Sequence, residues 1–133
     1  MSLDQALQAA VQNVPEAVAA GFIDVDSGML LGVKTIDSHP SEVIDVLAAA
    51  TSDLFQGANV VTIENMFKKM RGVEEDRHYF QEIIVNSDNL VHVFCRSKAN
   101  QSYVLCVVCR VSTNLGMALT KSRQALSTCE AAV

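Results

Sequence analysis

Tyr103-Val104-Leu105-Cys106-Val107-Val108-Cys109-Arg110-Val111 is a nearly unbroken apolar run, and it leads directly into Ser112-Thr113-Asn114-Leu115-Gly116. Side chains of a strand alternate between the two faces of its sheet, so a strand that is apolar at both parities must be covered on both sides. The run is therefore a central strand with helices above and below. The polar residues after it supply an N-cap, because a short side-chain oxygen accepts the unpaired N–H groups of a helix's first turn.

Two further strands are expected over 90–96 and 79–85, joined to the central strand by the turn at 97–102 and to each other by Asn86-Ser87-Asp88-Asn89. Such short connections make the three an antiparallel meander. Towards the N-terminus, 17–25 is apolar apart from Asp24, and 28–36 turns apolar again after Asp26-Ser27-Gly28. That pattern is a β-hairpin whose glycine supplies a positive φ.

The helices are marked by period and caps. Ser2-Leu3-Asp4-Gln5 has capping-box spacing, and Leu3, Ala6, Leu7, Ala10, Val11 and Val14 recur at helical intervals up to Pro15. Ser38-His39-Pro40-Ser41-Glu42 opens a second helix, with proline in the first turn, where its missing N–H costs nothing. Val43, Ile44, Val46, Leu47, Ala48, Ala50, Leu54 and Phe55 cover about 200° of that helix, whereas lying on one sheet needs a stripe of only about 100°. The excess arc asks for a second partner. Gly57 interrupts or bends the helix, and Val60, Ile63, Met66, Phe67 and Met70 continue a narrower stripe to Arg71-Gly72. Leu115, Ala118, Leu119, Ser122, Ala125, Leu126 and Cys129 mark the last helix. The reading is an α+β fold in the order α-β-β-α-β-β-β-α, one domain over residues 1–133.

Half of the 133 residues are hydrophobic, enough for one core, and the net charge is −5. Lys68-Lys69-Met70-Arg71 and the scatter at Arg110, Lys121 and Arg123 read as solvated faces, with no basic stripe interleaved with aromatics. Nucleic acid is therefore not an expected partner, since phosphate binding rests on clustered positive charge. No apolar run approaches the roughly eighteen residues of a membrane span, and no basic segment precedes an apolar one at the N-terminus. A soluble, cytoplasmic chain without membrane insertion is expected.

Chemistry-bearing patterns are sparse. Cys106 and Cys109 have the spacing of a redox or zinc pair, but residues three apart on a strand point to opposite faces and cannot share a metal or a local disulfide. The four cysteines read as small buried hydrophobes, with Cys95 and Cys106 placed to face each other as thiols across the turn at 98–101. Asp24-Val25-Asp26 is similar to the nucleophile motif of haloacid-dehalogenase-like phosphatases, yet the chain lacks room for that larger fold, and Asp24-Val25-Asp26-Ser27-Gly28 lacks the ligand run of a calcium loop. It reads as a turn. His39, His78 and His92 have no second histidine at metal-ligand spacing, and no nucleophile elbow or glycine-rich phosphate loop is present. No catalytic residue, cofactor or metal is expected, and the chain is read as a non-enzyme.

The order of elements, with Gly21-Phe22-Ile23-Asp24-Val25-Asp26-Ser27-Gly28 in the hairpin and Asn114-Leu115-Gly116-Met117-Ala118 at the last helix, resembles the roadblock/dynein light chain family, a profilin-like architecture, over nearly the whole chain. The resemblance implies a five-stranded antiparallel sheet in the order 2-1-5-4-3, with the second helix on one face and the terminal helices on the other. It also implies a homodimer made by pairing third strands and packing second helices. Candidate interface residues are Ile44, Ala48 and Phe55 on the wide arc and Tyr79, Phe80, Glu82 and Ile84 on the edge strand. The implied partner is a small Ras-like GTPase or another NTPase, regulated without donated catalytic residues. The helical region over 40–71 is longer than the family needs, and Gly57 allows two helices. The alternative is a small-molecule sensor of profilin- or PAS-like architecture, with Met29, Met66, Phe67 and Met70 lining a pocket between sheet and helix.

Overall fold

A computed structural model describes the backbone of residues 1–36 and 41–133 and the side chains of 1–36 and 46–133. The chain runs α1 (Leu3–Asn13), β1 (Ala17–Asp24), β2 (Met29–Thr35), α2 (Ser41–Gln56), α3 (Ala58–Arg71), β3 (Glu82–Asn86), β4 (Leu90–Arg96), β5 (Tyr103–Arg110) and α4 (Leu115–Ala131). The strands form one sheet in the order β2-β1-β5-β4-β3, and every adjacent pair is antiparallel.

The central strand divides its side chains as its alternation requires. Leu105, Val107 and Cys109 enter a core with Leu7 and Ala10 of α1 and Ala118 and Cys129 of α4. Val104, Cys106 and Val108 enter the opposite core, with Ala48 and Phe55 of α2. Cys106 and Cys109 thus lie on opposite faces. The expected facing of Cys95 and Cys106 is corrected by the register, which pairs Cys95 with Leu105 and Phe94 with Cys106. Cys95 belongs to the α1/α4 core and Cys106 to the α2 core, so the sheet separates them. Burial pushes the thiols up, Cys95 to about 12 and Cys109 and Cys129 to about 11, with Cys106 shifted in the same direction. Such thiols stay protonated at neutral pH and are poor nucleophiles.

The caps follow the sequence signals. The Ser2 hydroxyl accepts from Gln5 N–H while the Gln5 side chain accepts from Ser2 N–H, and Asn114 accepts from Met117 N–H. In the hairpin turn Gly28 has φ +71°, its N–H donates to the Asp24 carbonyl at 2.8 Å, and Asp26 N–H donates to the Asp24 carboxylate at 3.0 Å. The helix start expected at Ser38-His39-Pro40 lies outside the described residues.

One boundary settles what Gly57 left open, and one differs from the sequence expectation. The second helical region is two helices: Gly57 N–H closes α2 on the Asp53 carbonyl, then its own carbonyl accepts from Val61 to open α3. A Cβ at Gly57 would lie 2.7 Å from the Asp53 oxygen, so the sharp break depends on glycine. Read as one piece, Val46–Arg71 contains an 18-residue stretch of mean hydropathy 1.2, long and apolar enough to cross a membrane by composition. The break leaves helices of 16 and 14 residues, each short of the roughly 20 that a span needs. The third strand begins at Glu82 rather than Tyr79, because Tyr79 N–H is held by the Glu64 carboxylate instead of a neighbouring strand.

Candidate functional site

The layer formed by α2 and α3 departs most from ordinary helix packing. On α2, Ala48, Thr51 and Phe55 face the sheet and are buried, while Val46 and Leu54 are exposed on the far side. On α3 the polarity is inverted. Glu64 is its one buried residue, at 1% exposure, whereas Ile63, Met66, Phe67 and Met70, at helical spacing on a single face, are open to solvent. Met66 and Met70 are 59% and 82% exposed. The main neighbour of α3 is α2 rather than a strand.

Glu64 is held from within. Its Oε1 lies 2.8 Å from Nδ1 of His78, and its Oε2 accepts Tyr79 N–H at 2.5 Å. Nearby, Arg96 is 2% exposed, donates from Nη2 to the Phe55 carbonyl at 3.1 Å, and lies 5.0 Å above the Phe55 ring. Asp26 accepts from Gln56 at 2.6 Å and from the Ser102 hydroxyl. Gln101 accepts His78 N–H and donates to the Asp76 carbonyl, both at 2.9 Å. These bonds tie the β1–β2 turn, the end of α2, α3, the segment before β3 and the β4–β5 turn into one clamp.

The electrostatics agree with that geometry. Burial alone would push the Glu64 carboxyl up, but the hydrogen bonds from His78 and Tyr79 and the charges of His78 and Arg96 outweigh it and hold it below its usual value. Hydrogen bonds from Ser102 and then Gln56 hold Asp26 low as well. Burial draws the Arg96 guanidinium down, against the opposing pull of Glu64 and Asp26. A carboxylate–imidazole pair can orient a general base, but both Glu64 oxygens are occupied. Among the described residues no hydroxyl or thiol is hydrogen-bonded to His78, and no three His, Cys, Asp or Glu side chains could jointly hold a metal. The cluster positions a helix and a loop; it does not assemble a nucleophile.

The residues singled out in the sequence fall in different places. Ala48 and Phe55 are corrected from surface to core: Phe55 packs edge-on to Phe94 at 6.2 Å and, like Ala48, has no free surface. The arc that contains them spans both an inner and an outer face of α2, and only Val46, Ala50 and Leu54 among its described members are exposed. Ile44 lies in α2, and its side chain falls outside the described residues. Tyr79 and Phe80 precede β3. Tyr79 stacks on Phe67 at 5.8 Å and accepts from Arg71 at 2.8 Å, while Phe80 packs against the α2-side core. Glu82 takes two 2.7 Å bonds from Arg123 of α4. Ile84 is exposed on β3, which ends the sheet and pairs only with β4 among the described residues. The proposed ligand-lining residues Met29, Met66, Phe67 and Met70 are all exposed.

No family model and no curated protein matches the sequence. Solved structures do match the fold. The Roadblock/LC7 domain from Streptomyces avermitilis superimposes with a TM-score of 0.70 at 16% identity, covering 98% of this chain and 97% of that one. The gliding protein MglB from Thermus thermophilus gives 0.69 at 19% identity, covering 96% and 85%. An MglB solved in a tetrameric arrangement gives 0.69 at 19% identity, covering 97% and 88%. The chain has the Roadblock/LC7 fold.

Proposed function

We propose that the chain is a non-enzymatic regulatory scaffold of the cytoplasm that pairs with a second copy of itself and holds a small Ras-like GTPase, or another NTPase, on the assembled surface. The observation that carries this reading is the inversion of α3, which buries a charge and presents four apolar side chains to water. Apolar surface left exposed forgoes about 25 cal/mol per Å² until something covers it, and a contiguous exposed patch marks an interaction site. Val46 and Leu54 of α2 are exposed as well, and the open edge of β3 with Ile84 and Val85 offers backbone groups for pairing. Self-association agrees with the tetrameric arrangement of an MglB of the same fold. The NTPase partner rests on the resemblance to the roadblock family. In this reading the scaffold acts by holding the partner's own loops, since Glu64 and His78 are committed to each other.

The test is single-turnover GTP hydrolysis by the Ras-like GTPase encoded nearest to this gene, measured with and without the chain and with its Val46→Glu/Met66→Glu variant. Binding with a changed hydrolysis rate, lost in the variant, is expected. A GTPase that neither binds nor changes its rate would overturn the partner assignment.

A further inference from the structure

We propose that a groove between α4 and the ends of β3 and β4 binds a small molecule through a phosphate monoester group. A cavity of about 620 Å³ there is lined by Arg77, Lys98 and Arg123 together with Gln81, Glu82 and Leu126. A second cavity of about 260 Å³, on the β4–β5 turn, shares Arg77, Gln81 and Lys98 with it, so the two are lobes of one depression with these cations between them. The combined size falls within the roughly 300–1,000 Å³ of small-molecule sites.

The two linings together carry four cations, Arg77, Arg96, Lys98 and Arg123, against three carboxylates, Asp76, Glu82 and Glu130. Arg123 is committed to Glu82 by two 2.7 Å bonds, which fixes that wall of the cavity. Arg77 and Lys98 take part in no ion pair among the described residues, although the chain as a whole carries a net charge of −5. Two unpaired cations gathered in one concavity of an acidic protein raise the local potential for anions. An arginine fork and a lysine point charge together suit a dianionic group with several acceptor oxygens, which a phosphate monoester provides and a single carboxylate does not. Asp76, Glu82 and Glu130 on the same walls oppose a longer polyanion, and Leu126 gives the ligand's body an apolar floor. The groove involves α4 and leaves the outer face of α2 and α3 untouched, so it stands or falls apart from the scaffold reading.

Calorimetric titration of the whole chain at constant ionic strength tests this, with glycerol 3-phosphate, inorganic phosphate and acetate as probes. Saturable binding of glycerol 3-phosphate is expected, at least about tenfold tighter than acetate and tighter than inorganic phosphate. Arg77→Gln/Lys98→Gln should weaken it by about tenfold or more, while Lys68→Gln/Lys69→Gln, which removes the same charge elsewhere, should leave it unchanged. Both pairs are surface side chains, and circular dichroism verifies that the variants are folded. Absence of saturable binding, equal losses in the two double variants, or inorganic phosphate binding as tightly as the ester would overturn the assignment.

Discussion

On one face of the sheet, α1 and α4 turn Ala6, Leu7, Ala10, Ala118 and Cys129 inward and present Asp4, Arg123 and Gln124 to water; on the other, α3 turns Glu64 inward and presents Ile63, Met66, Phe67 and Met70. Both layers lie against the same sheet. The first is explained chiefly by burial of apolar surface, with the Ser122 hydroxyl buried beside it. The second spends its interior on a charged clamp that anchors the segment before β3, and leaves outside the apolar surface that would ordinarily be hidden. The contrast supports the second contact proposed for the α2–α3 layer, beyond the one it makes with its own sheet.

The largest expected effect divides the two sides of that layer. Phe55→Ala should lower unfolding stability by about 3–5 kcal/mol, comparable to Leu7→Ala on the opposite face, because each leaves a cavity in a closed core. Met70→Ala, an exposed change, should stay within about 0.5 kcal/mol of the parent. Urea unfolding midpoints, measured on dilute protein, make the comparison. A Met70 loss as large as that of Phe55 would break it, since the outer stripe would then be packed within the chain.

These two residues also mark what the sequence made legible. The two-sided apolar run of β5, the Ser2 and Asn114 caps and the Gly28 turn are local signals, each set by residues within a few positions, and the structure agrees with them. The sheet order came from resemblance to a family. The α3 stripe was legible as a set of residues sharing one face, but periodicity does not say which face is covered. Only the contact of Glu64 with His78 and Tyr79, 14 and 15 positions away, turns the stripe outward. The same gap placed Ala48 and Phe55 on an interface: the wide arc joined an inner and an outer face with no boundary between them. Arg77, Lys98 and Arg123 come together only through the fold.

A smaller effect sharpens the account of the clamp. Glu64→Ala should cost about 3 kcal/mol by taking from His78 and Tyr79 N–H their acceptor and leaving buried Arg96 with Asp26 as its remaining acidic neighbour. Because the folded carboxyl sits below its usual value of 4.5, its contribution is present above that value and is lost as the pH falls through the lower, folded one. Unfolding midpoints collected from neutral to acid pH should therefore decline for the parent, and decline less for Glu64→Gln, which cannot titrate. Parallel curves would show that Glu64 is not the charge the clamp depends on.

The mass of the assembly in solution bears most directly on the claim that the α2–α3 surface is completed by a second copy. Light scattering at micromolar concentration should give twice the chain mass of 14.4 kDa for the parent. Val46→Glu/Met66→Glu should give the single-chain mass with an unchanged circular dichroism spectrum, because both side chains are exposed in one chain and the proposed pairing buries them. A parent that scatters as one chain, or a variant that remains double, would contradict the account.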